Sequence, residues 1–282
     1  MKDDSSRPPK AGPRRLSAAH RDGSSRPAPP LAEHPAQERI LLVETYLRSL
    51  ALQASWNSQR LQNLGLLVTL LPGLRRLSLS RFDRRRFFRR HFEYFNTNPY
   101  LANSLLGGLL RLESDHTTGQ VPLSLIMTFK NTLARSVASL GDQLFWLGLK
   151  PALVLIMVIL VMSGKPLAVA GLLVVILGGQ LVLRWQALMA GFRLGIDIVD
   201  WLARPFWRQA IENAKRLGML ATGVMAGLYV ANLLGEGTTR NDWTLLGAVA
   251  LSAGLPLIIR HRLGGESALF LALPLALALV AI

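Results

Sequence analysis

A chain of 282 residues that is half apolar, only 17% charged and has a mean hydropathy of +0.31 is too poor in charge for an ordinary soluble domain of its length. Its 32 basic and 17 acidic residues leave a formal charge of +15, concentrated in the first 95 residues and in short patches between apolar runs; that layout points to anionic headgroups and cytoplasmic loops before nucleic acid. The lack of cysteine excludes disulfides, thiolate catalysis and Cys-ligated metal.

Residues 1–38 are rich in Ser, Pro, Arg and Ala and bury too little apolar surface to offset ordering entropy, which predicts a disordered, basic cytoplasmic tail without a signal-peptide core. From Glu38 the apolar residues Leu42, Val43, Tyr46, Leu47, Leu50 and Ala54 recur at helical spacing, predicting an amphipathic helix. It runs into Gln53–Gly65, a stretch dense in hydrogen-bonding side chains that must face protein or a cavity. Residues 64–74 are apolar but too short to span a bilayer and contain Pro72, which suggests a re-entrant or interfacial piece. Arg75-Arg76 and then Arg81–His91 follow, with Phe82, Phe87, Phe88 and Phe92 interleaved. Such a segment reads as a basic amphipathic helix held on the cytoplasmic membrane face by its phenylalanines; no nucleic-acid motif accompanies it.

Asn98 before Pro99 is a good N-cap, so a helix is predicted from Pro99 through Leu112, in which Gly107-Gly108 would admit another backbone closely. Asn96, Thr97 and Asn98 then stand at its positive end, where a polyhydroxylated or anionic ligand is favoured, although a plain cap and polar turn explains the same residues. Glu113–Gln120 reads as a polar connection and Pro122–Ser139 as a helix carrying Lys130 and Arg135. Five apolar spans are countable at about 144–162, 166–183, 217–234, 244–259 and 268–282, and the loop charges place the N-terminus inside and the C-terminus outside. Residues 184–203 form an amphipathic stretch suited to the inner face. The expected fold is an all-α integral membrane protein with about five transmembrane helices plus amphipathic and re-entrant helices. It would comprise the tail (1–38), a cytoplasmic-face helical region (39–140) and a polytopic membrane domain (141–282).

Four motif groups in order resemble the IID subunit of the mannose/fructose/sorbose class of the sugar phosphotransferase system. They are Gln53-x-Ser55-Trp56-Asn57-x-x-Arg60-x-Gln62 with Pro72-x-x-Arg75-Arg76; Arg89-Arg90-His91-x-x-x-Phe95-Asn96-Thr97-x-Pro99; Gly141-Asp142-x-x-Phe145-Trp146 with Pro151; and Gly191-x-x-x-Gly195-Ile196-Asp197-Ile198-Val199. The resemblance covers about residues 45–203 and implies a non-catalytic membrane subunit without a cofactor. It also implies a hetero-oligomer, in which a IIC subunit shares the translocation of sugar and cytoplasmic IIA and IIB subunits carry the phosphoryl group. Membrane lipids are further expected partners and nucleic acid is not.

On this reading Asn96, Thr97, Asn98, Asp142 and Trp146 are candidates for substrate or gate contacts, and Arg75, Arg76, Arg89, Arg90, His91 and Asp197 for partner or headgroup contacts. Each has a plainer alternative. Asp142, with Arg135 or Lys150 as ion partners, would serve equally as a cap for the 144–162 span, and Trp146 as an interfacial anchor. His91, like the other histidines, is expected in a tail or loop as a solvated member of a basic face, and Asp197 to bridge Arg193 or a partner. Arg135–Ser139, just before Gly141-Asp142, is poor in Gly and Pro relative to the family. That departure supports an alternative role, a regulatory or scaffold member that assembles with partners but moves no sugar. A membrane enzyme acting on phosphate-bearing lipids lacks a metal cluster, a nucleophile–base pair or a Gly-rich phosphate loop in the sequence.

Overall fold

The structure, a computed structural model, describes residues 35–77 and 79–235, so the expected spans at 244–259 and 268–282 and nearly all of the tail lie outside the described residues. The described residues form helices and turns, with two isolated β-bridges at Leu61 as the only extended pairings among them.

The hub is a helix that cannot stand alone in water. α4 (Ala102–Thr117) is buried continuously from Ala102 to Asp115, with Leu101, Leu105, Leu106 and Leu109 fully covered. Burying each such leucine contributes about 1.5–3 kcal/mol, so this helix carries a large share of the core. Its closest neighbour is α7 (Pro166–Leu194), and the two backbones nearly touch. A Cβ on Gly107 would lie 2.3 Å from the Leu188 carbonyl oxygen, and one on Gly191 would lie 2.1 Å from that of Ser104. Glycine at both positions is what admits this crossing, as the Gly107-Gly108 pair suggested.

Around this crossing lie α1 (Pro35–Ser49), α2 (Asn63–Arg76), α3 (Arg81–His91) and α5 (Leu123–Gly141). α5 continues without a break through a π segment (Asp142–Leu149) into α6 (Lys150–Met162), giving one helix of 40 residues. α7 continues through a 3-10 turn (Gly195–Asp197) into α8 (Ile198–Leu202), giving 37 residues, and α9 (Pro205–Gly235) follows. The 40- and 37-residue helices are long and apolar enough to cross a membrane, and they hold the first two expected spans; the third lies in α9. Val154, Leu167, Val174 and Val175 are exposed on them, as apolar side chains facing lipid or another subunit are.

Several expectations need correction. The first amphipathic helix stops at Ser49, because the hydrogen-bonding residues after it tie up turn backbone instead: Asn57 Oδ1 accepts from Arg60 N–H at 2.7 Å, and Leu61 sits at a positive φ of 53°. α4 begins at Ala102 rather than Pro99, and it continues through the supposed polar connection as far as Thr117, because Glu113 and Asp115 have ionic partners inside the fold. Residues 184–194 are not a separate inner-face helix but the end of α7; at Gly195, with a φ of +56°, the α-helix gives way to the 3-10 turn that leads into α8.

Candidate functional site

The motif segments, far apart in sequence, converge on one extended stretch, Phe95–Asn98. Phe95 and the Arg60–Gln62 turn exchange backbone hydrogen bonds, Gln62 N–H to Phe95 O at 2.9 Å and Phe95 N–H to Arg60 O at 3.3 Å. The buried Gln62 side chain then clasps Thr97, donating to its carbonyl at 2.9 Å and accepting from its N–H at 3.1 Å. Thr97 Oγ1 donates to the Ala134 carbonyl in α5 at 3.0 Å. Every polar group of Thr97 is thereby committed to holding the stretch between the first motif and α5, a positioning role.

Asn98 does two things. Its Oδ1 accepts from Tyr100 N–H at 3.0 Å and caps the turn into α4, and its Nδ2 donates to Asp142 Oδ1 at 2.9 Å. The Gly-Asp pair explains itself here, since a Cβ on Gly141 would lie 2.3 Å from Asn98 Cγ. Glycine lets the amide in, and the following aspartate receives it. Asp142 lies inside the continuous helix, so it does not cap the 144–162 span, and its partner is Asn98 rather than Arg135 or Lys150.

From Asp142 a polar and aromatic stripe continues along the helix through Trp146 and Lys150, with Asp142 and Trp146 exposed. Lys150 Nζ sits 3.2 Å above the Trp146 ring and 5.5 Å from the Tyr100 ring, which also packs on Phe145 at 4.6 Å and faces Arg184 at 5.3 Å. A solvated carboxylate held by an amide, beside an exposed indole, is a chemistry suited to accepting sugar hydroxyls and covering a sugar's C–H face. Asn96 is exposed near this site and Asp197 is exposed on the turn after Gly195.

The basic candidates divide. Arg75 is exposed, while Arg76 donates to Glu44 at 3.0 Å. Arg89 is exposed on α3 beside Arg81, Arg84, Arg85 and Arg86, together with Phe82 and Phe88. Ser80 caps this helix, accepting from Asp83 N–H at 3.1 Å. His91 contradicts the solvated-face expectation: it is 0% exposed at the end of α3, its Nε2 2.6 Å from Glu113 Oε1. Arg90 forms a two-point pair with the same carboxylate, Nε donating to Oε1 at 2.8 Å and Nη2 to Oε2. Lys130, fully buried on α5, donates to the Arg90 carbonyl and lies 3.2 Å from Glu93.

Glu113 and Glu93 are therefore structural residues that the sequence reading did not single out, and Lys130, read there only as a charge carried by the 122–139 helix, is buried in the same cluster. Glu113 follows the leucine-rich run of α4 directly, and an acid at the end of an apolar helix facing an arginine-rich one was the available signal. Burial alone would raise the Glu113 carboxyl, but hydrogen bonds from His91 and Arg90 outweigh it and bring it down to about 2. Burial is also the leading effect on His91, lowering it against the opposing pull of Glu113. A neutral imidazole donating from Nε2 to an ionised Glu113 satisfies both directions, and it leaves Nδ1 as a lone pair without a hydrogen-bond partner.

Residues 38–236 match the family described as PTS system mannose/fructose/sorbose family IID component. The mannose-specific EIID component of Escherichia coli K12 is 32% identical over 186 residues, 65% of this chain and 66% of the relative, so the match spans just under two thirds of that protein. The sorbose-specific EIID component of Klebsiella pneumoniae is 29% identical over 185 residues, 65% of this chain and 68% of the relative. Among solved structures, one of the mannose transporter ManYZ in complex with microcin E492 aligns with a TM-score of 0.53 at 30% identity, covering 67% of this chain and 69% of that one. A second, described as a membrane protein, aligns at 0.61 and 30% identity over 67% of this chain and 70% of that one. With a family match that extends from α1 to the end of α9, the chain belongs to the IID components of the mannose/fructose/sorbose family of the phosphotransferase system.

Proposed function

We propose that this chain is the translocation subunit of a sugar permease, working with a IIC-like membrane subunit to pass mannose-type sugars inward for phosphorylation by a IIB-like subunit. The chain itself transfers no phosphoryl group. It lies in the bacterial cytoplasmic membrane with its N-terminus inside and its C-terminus outside, and residues 39–140 form most of its cytoplasmic-face part. The observation that carries this reading is the Asn98–Asp142 hydrogen bond seated on Gly141, which joins two family motifs beside the exposed Trp146. The likeness to ManYZ, a mannose transporter, supports the choice of sugar class.

The test is phosphoenolpyruvate-dependent sugar accumulation in cells that lack this chain and retain its IIB- and IIC-like partners. Re-expression of the chain is expected to restore uptake of a mannose-type sugar. Asp142→Ala is expected to abolish it while the chain still co-purifies with its membrane partner. Gly141→Ala should do nearly the same by pushing the Asn98 amide away from the carboxylate. Wild-type uptake with Asp142→Ala removes this residue from the site. A specific observation favours a second reading: the Gly- and Pro-poor stretch Arg135–Ser139 is an unbroken part of α5. If no sugar accumulates even with the wild-type chain present and assembled, the regulatory or scaffold role replaces transport.

A further inference from the structure

α9 and the 40-residue helix that runs from α5 into α6 lie side by side in the same direction. A Cβ on Gly148 would lie 2.8 Å from Ala214 Cβ, and one on Gly218 would lie 3.8 Å from Ala152 Cβ, so residue numbers rise together along the seam. Both helices pass from a polar, basic segment into an apolar one. The basic ends, around Arg135–Gln143 and Arg204–Lys215, therefore lie at the same level, and so do the apolar ends. At the basic level the two helices flank an open cleft of about 790 Å³, within the range of roughly 300–1,000 Å³ usual for ligand sites.

Four cationic side chains line this cleft: Arg135 from one wall and Arg204, Arg208 and Lys215 from the other. Glu212 is the carboxylate among the described lining residues, and it lies 3.7 Å from Arg216. Ser139 and Gln143 add a hydroxyl and an amide; Gln143 Nε2 donates to Ser139 Oγ at 3.3 Å, which leaves the serine O–H to donate elsewhere. Guanidinium forks and hydroxyls are the donors that phosphate oxygens select.

The surroundings indicate what carries the phosphate. Trp201 and Trp207 stack edge-to-face at 5.0 Å, Trp207 Nε1 donates to the Trp201 carbonyl at 3.2 Å, and Phe206 is exposed next to them. Such a group of aromatics marks the level of a membrane–water interface. One turn beyond Gln143 and Lys215, towards the apolar ends, Leu147 and Met219 are exposed on the two helices. A ligand in the cleft thus has cations at its head and bare apolar helix above it. Basic pockets between membrane helices at the cytoplasmic side are suited to anionic lipid headgroups.

We propose that the cleft between α5 and α9 is a specific site for an anionic phospholipid of the inner leaflet, its phosphate held by Arg135, Arg204 and Arg208 and its chains lying along Leu147 and Met219. This rests on the placement of the chain in a membrane and not on its moving sugar.

The full chain, purified in detergent as it is expressed, would be titrated with phosphatidylglycerol, phosphatidylcholine or inorganic phosphate, reading the thermal unfolding temperature. Phosphatidylglycerol is expected to raise it by several degrees more than phosphatidylcholine does. The double variant R204Q/R208Q should lose that increment while unfolding like the wild type in phosphatidylcholine. Arg193→Gln, on an exposed part of α7 outside the cleft, should keep it. If the double variant does not fold, Arg135→Gln from the opposite wall is read in its place. Equal protection by the two lipids, or an increment that survives in R204Q/R208Q, overturns the site. Protection by inorganic phosphate equal to that by phosphatidylglycerol, and lost in the same variant, overturns the lipid and assigns the cleft to a soluble phosphate compound.

Discussion

Gly191→Ala is expected to be among the most damaging single-methyl substitutions at the described residues. The added carbon would stand 2.1 Å from the Ser104 carbonyl oxygen and 2.9 Å from the Gly108 nitrogen, and both are backbone atoms inside a helix that is buried on every side. No rotamer change relieves such a contact, so α4 and α7 must separate along their crossing. That would unpack Leu188 and Phe192, which are 0% and 2% exposed, from the leucines of α4. Overpacking of a tight interior costs about 1–3 kcal/mol even where side chains can adjust, and here backbone must move; the loss should be at least about 3 kcal/mol against a total stability of roughly 5–15 kcal/mol. Gly171→Ala is the matched control on the same helix, because nothing lies within 4 Å of its would-be Cβ. It should be neutral or stabilising by up to about 1 kcal/mol, the helix propensity gain of alanine over glycine. Thermal unfolding in detergent separates the two. A Gly191→Ala protein that melts with the control sinks the account of the crossing.

How far these contacts were legible from sequence depended on whether one segment or two define them. Gly107-Gly108 advertised a close backbone approach within α4, and it is present; Asn98 before Pro99 advertised a cap, and its side chain does cap a turn, but the one that precedes α4 rather than a helix begun at Pro99. The partner of Asn98 was not legible, because Asp142 is 44 residues away and its pairing depends on how α5 is laid against the Phe95–Asn98 stretch. The same limit explains Glu113. Read along the chain, Glu113-Ser114-Asp115 looks like the start of a polar connection after an apolar helix, and only the arrival of α3 makes Glu113 part of a buried ionic centre. His91 looked solvated for the converse reason. Among so many arginines the periodicity of α3 is carried by charge, and the narrow buried stripe of Phe87 and His91 was outvoted. The polar stretch after Ser49 misled in part: Asn57, Arg60, Gln62 and Asn63 are tied to protein as expected, while Gln53, Ser58 and Gln59 are exposed, and the stretch forms turns because side chains that bond nearby backbone compete with helix.

Glu113→Gln is expected to cost about 3–5 kcal/mol, the usual penalty for removing one partner of a buried ion pair. The loss leaves Arg90, whose side chain is 11% exposed, and the fully buried His91 facing a neutral amide. Acid should mimic the substitution, with a sign that follows from the two groups. The Glu113 carboxyl is held at about 2 against an ordinary 4.5, so its contribution, on the order of 3 kcal/mol, is present above the unfolded value and is lost as pH falls from about 4.5 towards 2. His91 is lowered from 6.5, chiefly by burial, so the unfolded chain takes up that proton first and stability begins to fall as pH drops below 6.5. Wild type should therefore lose stability in acid in two stages, the first from His91 and the second from Glu113. His91→Gln removes the titrating group of the first stage and should flatten the dependence that sets in below pH 6.5, whatever its effect on absolute stability. Glu113→Gln should start low and show little of the second stage. Unfolding temperature in detergent, followed from neutral pH downward for the three proteins, reads both stages. A first stage that persists unchanged in His91→Gln assigns it to another group, and a Glu113→Gln protein as stable as wild type at neutral pH removes the ionic centre from the forces that hold α3 against α4.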